Sequence, residues 1–206
     1  MNPEFVSWLA IAGTAVFAVS GALLALRKKM DVVGITFVAM VTGVGGGTIR
    51  DLLLGSTPVG WVESPSEIAV CVAAALIACF LNSHLTGHRL QWLLYADALG
   101  LALFTVLGSY KAQLSGAHWL VVILFGAMSA SFGGVIRDII CNEVPVVFKS
   151  GVYVTAALAG AALFVILPTE LGLEIRSLLG AILALAIRIA AIRFDWSLPF
   201  PRYPKG

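Results

Sequence analysis

Charge is what this 206-residue chain has least of. Asp, Glu, Lys and Arg make up 12% of it and hydrophobic residues 60%, where a soluble domain averages about 25% charged. So little polar surface cannot cover a water-soluble globule, and a mean hydropathy of +0.99 points to the bilayer as the solvent. Basic residues form no run longer than Arg27-Lys28-Lys29, the net charge is +2, and no basic stretch is interleaved with aromatics; a nucleic-acid surface is excluded. There are three cysteines, Cys71, Cys79 and Cys141. They lie in or beside apolar stretches without metal-type spacing and read as small buried hydrophobes. His84 and His88 are four apart in a loop-like stretch with no third ligand, so solvated histidines are expected there rather than a metal site. No His, Cys or Ser grouping pairs a nucleophile with a base, so the chain is not read as an enzyme, and no cofactor is expected. Glu4 and the missing positive n-region argue that the first apolar stretch stays as a membrane helix.

Apolar runs, by contrast, are abundant. A membrane helix needs roughly 20 apolar residues. Residues 5–26 carry no charge and form the first span. Residues 32–49 are charge-free and glycine-rich, and the apolar pattern resumes at Leu52-Leu53-Leu54, so the second span is expected to be interrupted. Further spans are expected at 68–81, 90–110 (with Asp97 inside), 119–141, 150–168 and 177–192, the last interrupted by Arg188. Seven spans put the two ends on opposite sides. Arg27, Lys28, Lys29, Arg89, Lys149, Arg193, Arg202 and Lys205 fall on one side. Lys111 and Arg176 fall on the other with Glu4, Glu63, Glu67, Glu170 and Glu174. The positive side is the cytoplasmic one, so the N-terminus is expected outside and the C-terminus inside.

The chain also repeats itself. At an offset of 87 residues Gly13, Phe17 and Gly21 fall on Gly100, Phe104 and Gly108 without a gap. Gly46-Gly47, Ile49, Arg50 and Asp51 fall on Gly133-Gly134, Ile136, Arg137 and Asp138, and Pro58-Val59 on Pro145-Val146. Each copy holds three spans, an odd number, so the second must enter the membrane from the opposite side. The expected architecture is an all-α membrane protein: repeat one at about 5–83, an inverted repeat two at about 90–168, and an extra helix at about 174–193. In such folds the site lies at the repeat interface near the midplane.

The glycine-rich motifs carry the chemistry. Each interior glycine weakens a helix by about 1 kcal/mol relative to alanine. The triplet Gly45-Gly46-Gly47 and the pair Gly133-Gly134 are therefore expected to unwind or kink spans two and five. Freed carbonyls would coordinate a cation, with Thr42, Thr48, Ser129 and Ser131 adding hydroxyls. Gly13 and Gly21 read instead as close-packing positions. A central arginine costs at least about 2.5 kcal/mol on membrane-insertion scales, so Arg50 and Arg137 need partners. Neighbours at i and i+1 do not face each other on a helix, so a cross-repeat exchange is expected, Arg50 with Asp138 and Arg137 with Asp51. The bland alternative is that both dipeptides mark helix ends. Asp97 has no acidic twin, its counterpart being Ala10, and it faces either a cavity or a helix partner.

At these residues the sequence resembles the prokaryotic trimeric intracellular cation (TRIC) channels, to which bacterial glycine-transporter-like membrane proteins are related. The doubled motif carries the resemblance, Gly-Gly-Gly-Thr-Ile-Arg-Asp over 45–51 and Gly-Gly-Val-Ile-Arg-Asp over 133–138. It implies a homotrimer in the prokaryotic inner membrane, N-terminus outside, with one pore in each subunit lined by broken spans two and five. The implied permeant ions are monovalent cations, chiefly potassium. Gly45 is matched by Phe132, which would narrow the second break. The lysine-centred lipid motif of the animal channels is not matched. The residues themselves leave a second reading open, a small-solute carrier for an amino acid such as glycine, because arginines and half-helix N-termini suit a carboxylate. Leucine at Gly46 or Gly133 is expected to block a path between the kinked halves while leaving a folded trimer.

Overall fold

The computed structural model describes residues 3–81, 89–149 and 152–196; His84, His88, Arg202 and Lys205 lie outside these. Among them all regular structure is helical: α1 (Pro3–Arg27), α2 (Val32–Leu53), α3 (Gly60–Glu63), α4 (Ser66–Phe80), α5 (Arg89–Leu114), α6 (Trp119–Ile140), α7 (Val146–Lys149), α8 (Val154–Ile166) and α9 (Gly172–Arg193), with a 3₁₀ turn at Thr169–Leu171. Five helices, α1, α2, α5, α6 and α9, are long and apolar enough to cross a membrane, whereas α4 and α8 are apolar but shorter. Each short apolar helix follows a four-residue helical turn, α3 or α7.

Sequence sets the helix ends. Asp31 caps α2, its carboxylate accepting the Gly34 N–H at 2.7 Å. Five helices close with the same C-terminal device, in which the N–H two residues past the cap bonds a carbonyl five residues back. These bonds are Met30 to Ala25, Ser56 to Asp51, Ala117 to Ala112, Glu143 to Asp138 and Trp196 to Ala191. The residue between is left-handed in each case: Lys29, Gly55, Gly116, Asn142 and Asp195. Lys29 and Gly116 are 87 residues apart, and so are Gly55 and Asn142.

The core divides into two large apolar clusters and a small third one of Val106, Tyr110 and Phe164. One joins α1, α2 and α4 through residues such as Ala22, Val38 and Ala75. The other joins α5, α6 and α8, with Phe17 of α1 and Ala184 of α9. Helix contacts recur at the same offset of 87. A Cβ on Gly13 would stand 2.8 Å from the Phe104 ring, and one on Gly100 would stand 2.5 Å from the Phe17 ring. The two rings stack at 5.3 Å between centroids. Gly21 seats α1 against Thr42 and Val38 of α2, and Gly108 seats α5 against Ser129 and Phe125 of α6. With so little area difference between lipid and helix surfaces to drive association, close backbone packing of this kind is what holds membrane helices together.

Lys28, Glu143 and Lys149 form a surface cluster between the α1–α2 and α6–α7 connections, with Lys28 Nζ 3.0 Å and Lys149 Nζ 3.3 Å from the Glu143 carboxylate. Hydrogen bonds from Lys28 and then Lys149 hold that carboxyl below the usual range. Its stabilising effect is therefore present above the unfolded-state pKa and fades as pH falls through the lowered folded-state value. Exposed pairs of this kind contribute little. Glu143→Gln is expected to leave thermal stability at neutral pH nearly unchanged and to flatten its decline in acid, read from melting midpoints at pH 7 and pH 4.

Candidate functional site

Helices α2 and α6 meet where the glycine motifs lie. Both are unbroken α-helix through those motifs, contrary to the expected unwinding. The glycines serve close approach instead. A Cβ on Gly46 would be 2.5 Å from the Ser129 carbonyl oxygen, and one on Gly133 would press on the Thr42 carbonyl oxygen. Thr42 and Ser129 are again 87 apart. Because the helices stay intact, their carbonyls remain in helical hydrogen bonds and are not freed for a cation. The hydroxyls behave likewise: Thr42 donates to the Val38 carbonyl at 2.6 Å, Thr48 to Val44 at 2.8 Å and Ser131 to Ala127 at 2.7 Å. Gly45 faces the Ile136 side chain, and Phe132 is half-buried.

The two Arg-Asp dipeptides end α2 and α6 and are nonetheless buried. The expected cross-repeat exchange of ion pairs does not occur. Arg50 Nε and Nη2 both lie 2.8 Å from Oδ1 of its own neighbour Asp51. Arg137 Nε and Nη2 hold Asp138 Oδ1 at 2.9 and 2.8 Å. The i, i+1 rule fails here because a guanidinium on a three-carbon stem can curl around the helix to reach a neighbour's carboxylate. The remaining oxygen of each aspartate ties down the chain after the helix: Asp51 Oδ2 accepts the Gly60 N–H at 3.2 Å, and Asp138 Oδ2 accepts the Val146 N–H at 2.9 Å. Other polar contacts do cross between the copies, among them the hydrogen bond from Arg50 Nη1 to Ser129 Oγ at 3.2 Å.

Beyond this shared pattern the two ends differ. At the Asp138 end Arg137 also holds Asp97 at 2.7 Å and donates to Ser20 Oγ. Asp97 thus has a helix partner. Tyr153 closes the group, its hydroxyl and Asp97 Oδ1 both lying against the space above Gly134, and Arg188 of α9 sits over the Tyr153 ring at 4.8 Å. At the Asp51 end Lys111 Nζ lies 3.4 Å from both Asp51 oxygens. Glu67 stands nearby, its Oε2 3.5 Å from Thr14 Oγ1, and Trp61 Nε1 donates to Thr48 Oγ1 at 2.9 Å. Gly47, Thr48, Arg50, Asp51, Trp61 and Lys111 are among the walls of a cavity of about 20 Å³, room for one water molecule.

The expected spans 68–81 and 90–110 leave Glu67 and Lys111 in the flanking loops, although the apolar pattern runs past Lys111 to Leu114. Ser20 and Tyr153 gave no signal, since a lone hydroxyl in an apolar run looks like packing. Arg188 interrupts its span visibly, but its partner lies 35 residues away in sequence. Among the described residues no three His, Cys, Asp or Glu side chains gather closely enough to hold a metal ion.

Comparison with known proteins places this arrangement. The model of the glycine transporter family matches the chain twice, over residues 7–83 and 94–169. The inner membrane protein YadS of Escherichia coli (strain K12), of the UPF0126 group, is 38% identical over 94% of this chain and 95% of its own length. The TRIC trimeric intracellular cation channel orthologue from Rhodobacter sphaeroides superposes with a TM-score of 0.87 at 41% identity, covering 93% of this chain and 99% of that one. The chain belongs to the TRIC family. A prokaryotic TRIC channel crystallised in 0.5 M KCl superposes with a TM-score of 0.89 at 28% identity, over 95% of this chain and 99% of that one. These relatives are membrane proteins and channels, not enzymes.

Proposed function

We propose that this chain is a channel for monovalent cations, chiefly potassium, working as a homotrimer in the bacterial inner membrane with an ion path inside each subunit. The observation that carries the reading is the full-length likeness to a TRIC channel at 41% identity. The path runs beside the α2–α6 crossing rather than between its helices, because Gly46 and Gly133 bring the two backbones into contact there. It passes Gly47, Thr48, Arg50 and Asp51 at one end and Gly134, Arg137 and Asp138 at the other. Both ends are shut in this conformation, one narrowed to a single water's space and the other filled by Arg137.

We read α1, α2, α4, α5, α6, α8 and α9 as seven spans, α4 and α8 crossing with the help of their flanks. The first six form two inverted repeats. The doubled family match and the contacts recurring at an offset of 87 support that reading. The N-terminus lies outside, as the loop charges indicate. A glycine carrier is the weaker reading: it needs an arginine free to receive a substrate carboxylate, and both Arg50 and Arg137 already hold carboxylates of the protein.

The purified trimer in a planar bilayer, between asymmetric potassium and sodium chloride, is expected to give unitary currents reversing near the potassium potential. Silent bilayers with saturable glycine uptake into liposomes from the same preparation would replace the channel by the carrier.

A further inference from the structure

Helix α9 lies outside the two sequence copies, and it brings two arginines into an apolar interior. Arg176 and Arg188 are both buried. Each lies over an aromatic ring contributed by α8 or its first cap: Arg176 over Phe164 at 4.3 Å and Arg188 over Tyr153 at 4.8 Å. Between these contacts the two helices meet backbone to backbone. A Cβ on Gly160 would be 2.6 Å from the Gly180 carbonyl oxygen, and one on Gly180 would be 2.9 Å from the Gly160 carbonyl oxygen. The two ring contacts therefore bracket a glycine crossing.

The repeat supplies an internal control for the Phe164 contact. In an α-helix the carbonyl of residue i receives the N–H of residue i+4. At the end of α4 it does so: the Leu81 N–H bonds the Ile77 carbonyl at 2.9 Å. At the offset of 87, Ile77 and Leu81 correspond to Phe164 and Pro168. Proline has no N–H, so the donor is missing at the equivalent place in α8. Phe164 is buried, and a backbone carbonyl left unmet away from water is costly. Arg176 takes the vacant role. Its Nε and Nη2 donate to the Phe164 carbonyl at 3.1 and 2.7 Å. Its charge also sits at the negative end of the α8 dipole. That accounts for a buried arginine on the side where the seven-span reading puts few basic residues.

A fixed Arg176 fixes what lies farther along α9. The helix is continuous over Gly172–Arg193, so Arg188 follows about 18 Å along the axis, while Tyr153 and Phe164 are about 16 Å apart along α8. We infer that Arg176 is a positioning residue: it supplies the hydrogen bond that Pro168 withholds from α8, and so sets the register in which α9 places Arg188 on Tyr153, beside the Asp97–Arg137 group. The inference goes beyond the channel reading and does not depend on it.

The test asks whether a backbone N–H at position 168 makes Arg176 dispensable. Full-length protein in detergent is compared as the native chain, Arg176→Met, Pro168→Ala and the double variant. Arg176→Met is expected to lower the melting midpoint by about 5 °C and to speed amide exchange over the segment around Arg188 about tenfold, although that segment is remote from the lost bond. Pro168→Ala alone is expected to change neither. In the Arg176→Met background the same alanine lets α8 continue its ladder to Phe164, and it is expected to recover most of both losses. Such coupling separates a shared acceptor from general loosening. Arg176→Lys, which keeps the charge without the planar fork, is expected to fall between native and Arg176→Met. Additive effects of Arg176→Met and Pro168→Ala would overturn the inference, and so would native exchange around Arg188 in Arg176→Met. Where Arg176→Met gives no folded protein, the double variant is expected to restore it, and its failure to do so overturns the inference as well.

Discussion

Gly133→Ala is expected to lower the melting midpoint of the trimer sharply, and Gly133→Leu to leave no monodisperse protein in size-exclusion chromatography. The added Cβ of Gly133 would press on the carbonyl oxygen of Thr42, and that of Gly46 would lie 2.5 Å from the carbonyl oxygen of Ser129. Both obstacles are backbone atoms of a facing helix. No rotamer change relieves them, so α2 and α6 must separate along the crossing. Overpacking of a close-packed interior costs typically about 1–3 kcal/mol, and here the separation also opens the Arg50–Ser129 hydrogen bond that spans the two helices. The folded but blocked leucine variant that sequence alone leads one to expect therefore should not exist. A useful contrast is Gly47→Ala. A Cβ there meets only Arg50 Nη2 at 3.6 Å and the Phe104 ring at 3.8 Å, so the trimer should keep its melting midpoint. An unaltered midpoint for Gly133→Ala would show that the α2–α6 contact is looser than described.

The reason for that reversal bears on what a sequence discloses. Composition and run length gave the helices and the bilayer, because those depend on each segment's own solvation. The repeat was legible because identical motifs recur at one offset, and the pairing of Gly13 with Phe104 and of Gly100 with Phe17 follows the same arithmetic. Partners were not legible. A glycine triplet is equally suited to breaking a helix and to admitting another backbone, and the choice is made by the facing helix. An arginine's reach likewise depends on what surrounds it: enclosed away from solvent, Arg50 and Arg137 turn back to the adjacent aspartates rather than extending across the interface. The departures from symmetry were hardest to see. Lys111 and Glu67 at one end, Asp97 and Ser20 at the other, are single substitutions in an apolar pattern, and only packing shows that each points at an Arg-Asp pair.

That asymmetry sets up the second large effect: Arg137→Met should be far more damaging than Arg50→Met, although the two positions are equivalent in the repeat. Removing Arg137 leaves Asp97 and Asp138 buried with their common cation gone. Breaking a buried pair by deleting one partner typically costs about 3–5 kcal/mol, because the other charge is left uncompensated. Here two carboxylates are left, while Arg188 is engaged over the Tyr153 ring. Removing Arg50 leaves Asp51 with the Lys111 ammonium 3.4 Å away and the Gly60 N–H. The lysine can close in, so the loss should be smaller by a large margin. The order of melting midpoints is thus native, then Arg50→Met, then Arg137→Met, and adding Lys111→Met to Arg50→Met should bring that variant down toward Arg137→Met. Adding Asp97→Leu to Arg137→Met removes one stranded carboxylate and should recover part of the lost stability. Equal midpoints for the two single arginine variants would mean that Lys111 does not compensate Asp51.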